Sequence, residues 1–184
     1  MNIPGTVIPL ENGIGPAGSG FLTGIFSVTS GLMLSQIREI TGLDAPALQN
    51  WIKRGWVSSP TGKRYNIDQV ARILIINMLR DTLKLESIAY LMSYINGRVD
   101  DKTDDIIPES VLYDYICCII DKCACCDYNS GENLKPLIAD CTADYKEVIP
   151  GSTERLRKAL EIIILAYESA RIKAKAENLL DAIR

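Results

Sequence analysis

What most limits the fold of this chain is the punctuation between residues 32 and 66. Gly42, Gly55 and Gly62 cut this stretch into short pieces, and Asp44 and Asn66 stand where new helices would start. Leu34, Ile37 and Ile40 share one helical face, and Gly42 suits the left-handed residue that stops such a helix. Asp44 reads as the N-cap of a second helix that turns Leu48, Trp51 and Ile52 inward until Gly55 ends it. The turn at Gly42-Leu43 then joins two short helices, a helix-turn-helix pattern. Trp56-Val57 and Arg64-Tyr65 flank SSPTGK, which predicts a short hairpin turning at Pro60-Thr61-Gly62. Asn66 and Gln69 have capping-box spacing for a third helix, and Tyr65 is placed to staple onto Val70.

The third helix runs through Ile73, Leu74, Met78 and Leu79, apolar on more than one face, so it belongs at the centre. A fourth covers Glu86 to Ile95 and stops at Gly97. DDKTDDIIPE reads as a solvated loop, and the helix after Pro108 turns Leu112, Ile116 and Ile119 inward. Helical character returns from Leu134 to Val148, and Pro150-Gly151 breaks the chain. Ser152 or Thr153 then caps a long final helix. On it Leu156, Leu160, Ile163, Tyr167, Ala170 and Ala174 step by four, three, four, three and four, a heptad seam. Leu156, Leu160, Ile163 and Tyr167 are its candidate dimerisation residues; the competing reading packs this helix back on its own domain.

These signals predict an all-α protein with a small β-hairpin wing, in three regions. Residues 1–31 hold seven glycines and three prolines and read as an arm, either a loose terminus or a segment docked on the body or on a partner. Residues 32–98 form the helix-turn-helix and wing, and residues 99–184 a helical region for dimerisation or signal sensing. The net charge of -3 conceals a division between them. Residues 31–98 carry nine basic and five acidic side chains, whereas residues 99–184 carry eleven and seventeen. A basic module is thus joined to an acidic one.

Several function classes are disfavoured. The chain has no histidine, the commonest general base and metal ligand. No phosphate loop, nucleophile elbow or dinucleotide fingerprint is present, and DDKTDD lacks the ligand spacing of an EF-hand. An enzyme is not expected, nor a cofactor. The longest apolar run, Ala71 to Leu79, is interrupted by Arg72 and Asn77 and is too short to span a bilayer. Without a signal-peptide pattern, a cytoplasmic protein is expected. Cys117, Cys118, Cys123, Cys125, Cys126 and Cys141 cluster in the acidic half. Cys123 and Cys126 have CxxC spacing but no second knuckle, so reduced thiols without metal are expected, with redox sensing or metal binding as minor readings.

The order helix, turn, helix, basic hairpin, helix, helix resembles the winged helix-turn-helix of MerR-class bacterial transcription regulators. LSQIREITGLD matches the first helix and turn, LQNWIKRGWV the second, GKRYNIDQVARI the wing and third helix, and LKLESIAYLM the fourth. Closer still, GLMLSQI, LQNWIKRG, RILIINMLRD, YINGRVDDKTDD and LYDYI resemble an uncharacterised bacterial family defined by domain of unknown function 1836, over roughly residues 30–120. The MerR resemblance implies a regulator that binds double-stranded DNA and dimerises through helices C-terminal to the DNA-binding module. One departure concerns the second helix. Where that class carries two arginines and an aromatic pair, this chain has Pro46 and Gln49, then Asn50 and Trp51.

The candidate DNA contacts are Gln49, Asn50, Lys53, Arg54, Lys63 and Arg64. Gln and Asn offer the paired donor and acceptor that matches adenine. The two basic pairs on either side of one loop suit the phosphates flanking a groove. The expected function is a homodimeric DNA-binding regulator whose effector is unknown. The alternatives are a winged-helix protein-interaction adaptor with little DNA binding, and a ligand or thiol sensor acting through a partner protein.

Overall fold

The computed structural model describes residues 2–10, 18, 20–99, 101–125 and 134–184. Among these, helices predominate, with one two-stranded sheet. The order is α1 (Phe21–Phe26), β1 (Leu32–Met33), α2 (Leu34–Thr41), α3 (Ala45–Lys53), β2 (Arg64–Tyr65), α4 (Ile67–Leu79), α5 (Leu85–Asn96), α6 (Glu109–Cys125), α7 (Leu134–Cys141) and α8 (Ser152–Asp181).

The local stop and start signals act as read. Gly42 closes α2 with φ 69°, and the Asp44 side chain accepts from the Ala47 amide to open α3. Asn66 and Gln69 make a reciprocal capping box at α4. Helix α4 is the axle of the molecule. Every residue from Val70 to Ile76 is buried, as are Met78 and Leu79, and α1, α2, α5, α6 and α8 all pack on it. A helix apolar all round must sit inside, and the other helices supply the enclosure.

The strand pairing departs from the expected hairpin. Trp56-Val57 is not a strand; β2 pairs antiparallel with β1, Leu32 opposite Tyr65 and Met33 opposite Arg64. The loop closes through Gly62-Lys63, between Thr61 and Arg64, rather than at Pro60-Thr61-Gly62. Both turn residues have positive φ, 57° and 64°, as a two-residue hairpin turn of the primed type demands. Upstream, the Gln69 amide donates to the carbonyls of Ser58 and Ser59, tying them to the start of α4 and away from any sheet.

Residues 2–10 are built into the body. Val7 N–H donates to Ile40 O at 2.9 Å, Asn77 Nδ2 donates to Gly5 O at 2.9 Å, and the buried Tyr113 hydroxyl donates to Pro4 O at 2.7 Å. Gly5 lies so close to α4 that a Cβ there would stand 2.2 Å from Leu74 O. Only glycine fits this contact, and its φ of 74° adds a second reason.

Two other expectations shift. Helix α7 ends at Cys141, where the Thr142 hydroxyl turns back onto Ile138 O, well short of Val148. The N-cap of α8 is Gly151; Ser152 Oγ instead accepts from Val148 N–H. Among the described residues no helix is long and apolar enough to cross a membrane.

Candidate nucleic-acid interface

Helix α3 is amphipathic. Leu48 and Trp51 are buried, whereas Pro46, Gln49, Asn50 and Lys53 are exposed or half-buried along the opposite side. Gln49 and Lys53 are one turn apart on that face. Asp44 and Pro46 set its start, and Gly55, with φ 71°, turns the chain away after Arg54. Trp51 is core, and Trp56 is half-buried against it.

The four basic candidates fall into two kinds. Arg54 is exposed but engaged: its guanidinium donates to Asn50 Oδ1 at 3.4 Å, pairs with Glu86 at 3.3 Å, and lies 5.0 Å over the Trp56 ring. Arg64 donates from its guanidinium to Gly31 O at 2.9 Å, alongside the β1–β2 pair. Lys53 and Lys63 are exposed, Lys63 at the tip of the two-residue turn. No local sequence signal marks the role of Gly31. A Cβ there would press on Arg64 Cβ at 2.9 Å, so this glycine lets the arginine lie flat across the strand pair.

A buried polar cluster holds this region to the acidic half. Arg72 Nε donates to Trp56 O at 2.6 Å, and its NH1 meets Glu109 at 2.9 Å. Lys102 joins Glu109 and Asp105, each at 3.0 Å. Burial pushes the Arg72 guanidinium below its ordinary value, and Glu109 opposes that shift. Asp68 Oδ1 accepts from both the amide and the hydroxyl of Ser110, capping the start of α6.

The heptad seam on α8 is occupied. Leu156, Leu160 and Ile163 are fully buried against this chain's own helices, and Tyr167 packs on the same core. Helices α4, α5, α6 and α7 all meet α8. These residues are therefore internal core, which corrects their expected role in joining two copies. The physical reason is that the body already supplies the apolar surface they bury.

Cys117, Cys118 and Cys141 carry free thiols, and among the described residues no group of three or more potential ligands gathers for a metal. Cys118 and Cys141 bring their sulfurs to 3.0 Å between α6 and α7. The Cys125 side chain and Cys126, and with it the CxxC spacing, lie outside the described residues.

A family model described as a domain of unknown function, DUF1836, matches residues 25–116. The chain belongs to this family. The DUF1836 match takes in α2 to α5 and both strands, and ends within α6, so α7 and α8 lie beyond it. An uncharacterised protein of Bacillus subtilis (strain 168), YkrK, is 27% identical over 132 residues. The aligned part is 70% of this DUF1836 chain but 53% of the relative, so the chain spans about half the length of the curated relative it matches. No solved structure matches.

Proposed function

We propose that this chain is a transcriptional regulator that binds double-stranded DNA through a winged helix-turn-helix, two copies acting on one duplex. Helices α2 and α3 form the helical pair, and the Gly62-Lys63 turn is the tip of the wing. The observation that carries the reading is the exposed face of α3. It offers two amide side chains, Gln49 and Asn50, beside Lys53, with Lys63 exposed on the turn that follows. Amides suit base edges and lysines suit phosphates. The order of elements and the quoted phrases add the likeness to MerR-class regulators.

A second reading, the protein-interaction adaptor, is favoured by one observation. Two of the arginines are engaged within the molecule, Arg54 on Glu86 and Arg64 on Gly31 O.

Binding of the purified chain to random duplexes, followed by fluorescence anisotropy over a salt series, separates the two. Under the DNA reading, affinity falls steeply with salt. Lys53→Ala and Lys63→Gly each reduce the slope of log affinity against log salt by about 1. Glycine is the right replacement for Lys63, since its positive φ would strain alanine. Gln49→Ala relaxes sequence preference instead. Absence of binding to any duplex at low salt would rule this function out and leave the adaptor.

A further inference from the structure

We infer that the cavity between the end of α5, the loop before α6 and the start of α8 binds a free α-amino acid with an aliphatic side chain. Its volume is about 340 Å³, at the small end of the range for ligand sites, which suits a small metabolite better than a nucleotide-sized cofactor. Three segments wall it. Ser93 and Gly97 come from the end of α5, Asp104 from the loop, and Val148, Ile149 and Arg155 from the approach to α8 and its first turn.

The charges around the cavity single out two residues. In the adjoining polar cluster Arg72 and Lys102 offset Glu109 and Asp105. That balance leaves Asp104 and Arg155. They line the same cavity, yet neither forms an ion pair with the other or with any further charge among the described residues. Shape holds Asp104 in place. Gly97 closes α5 with φ 62°, and a Cβ there would overlap the Asp104 carboxylate, so only glycine lets that carboxylate rest against the helix end. Arg155 is half-buried. Its guanidinium donates to Ile95 O at 2.6 Å, and its buried Nε–H has no acceptor among the described residues. A carboxylate without a cation and a guanidinium without an anion, set on one cavity, match the two ends of a zwitterion. The ligand's ammonium goes to Asp104. Ser93 Oγ, which donates to Ala89 O, keeps lone pairs that can accept from the same ammonium. The ligand's carboxylate goes to Arg155. Val148 and Ile149, 62% and 47% exposed, give the side chain an apolar wall to cover.

This binding needs no DNA, so the inference and the proposed function can fail separately. Isothermal titration calorimetry of the full chain is expected to show a single site for L-leucine, L-isoleucine or L-valine. Isocaproate, which lacks the ammonium, and isoamylamine, which lacks the carboxylate, are expected to bind about tenfold or more weakly than L-leucine. Asp104→Asn weakens L-leucine by a like factor and does not weaken isocaproate. Arg155→Gln weakens L-leucine and does not weaken isoamylamine. Asp104 is exposed, so its variant keeps the fold whatever Arg155→Gln does to the contact with Ile95. Failure of all three amino acids to bind at millimolar concentration would overturn the inference and leave a cavity for water alone. An affinity for L-leucine that is indifferent to Asp104→Asn, or that either analogue equals, would overturn it as well.

Discussion

Arg72 on α4 and Glu109 at the start of α6 form an ion pair at 2.9 Å with side chains only 4% and 2% exposed. The guanidinium also holds Trp56 O, and the carboxylate also holds Lys102, so three segments of chain converge on this pair. Removing one partner of a buried pair leaves the other charge unpaired, which costs about 3–5 kcal/mol. Glu109→Ala is therefore expected to lower the urea midpoint sharply. The double replacement Arg72→Met with Glu109→Met is expected to be milder than Glu109→Ala alone, since no naked charge remains. A double variant less stable than the single one would show that the hydrogen bonds to Trp56 and Lys102, and not the charge, dominate.

Cys118 and Cys141, with sulfurs 3.0 Å apart, are expected to join on treatment with a diazene oxidant, which takes up the two protons and two electrons released. Peptide mass spectrometry is expected to find this pair linked, and Cys141→Ser to abolish the link. Burial and the neighbouring Cys118 push the Cys141 thiol up to about 12, so cross-linking is expected to accelerate as pH rises. A bridge closing a loop of this size stabilises by about 3 kcal/mol.

Alkaline pH is expected to unfold the protein. Burial raises the phenols of Tyr113, Tyr115 and Tyr167, the last to about 12, and likewise raises the Cys117 thiol. A raised folded-state value means that the native chain keeps protons the unfolded chain gives up. Stability from these groups is complete below the ordinary values, 9.0 for the thiol and 10.0 for the phenols, and drains away above them. The urea midpoint should hold steady from neutral pH to about 9 and then fall. A midpoint still level well above 10 would contradict the burial of these groups.

The docking of residues 2–10 is open to three substitutions of graded severity. Tyr113→Phe removes one hydrogen bond, to Pro4 O, worth about 1 kcal/mol. Asn77→Ala removes those to Gly5 O and Thr41 O. Gly5→Ala sets a methyl against Leu74 O and is expected to cost most. Limited proteolysis should cut residues 2–10 faster in the same order.

How much of this was legible in the sequence follows from how local each cause is. Asp44, Gly42 and the Asn66–Gln69 box act within four residues, and all were legible. The strand pair was not, because Tyr65 faces Leu32 across more than thirty positions and two-residue strands have no alternation to recognise. The stripe of α8 through Leu156 and Leu160 looks like a coiled-coil seam, yet only the placement of α4 to α7 decides that the body covers it. At the candidate interface the exposed face of α3 was foreseeable from helical spacing. The bonds that Arg54 and Arg64 make within the molecule were not, since Glu86 and Gly31 lie far from them in sequence.

The bond from Tyr113 to Pro4 spans 109 residues and bears on how the protein is made. A ribosome delivers residues 2–10 long before α4 and α6, the surfaces that receive them. At about 5–20 residues per second, several seconds of elongation separate residues 2–10 from their binding site. During that interval Ile3, Val7 and Ile8 are exposed to whatever waits at the exit tunnel, and final assembly of the core is postponed until most of the chain has emerged.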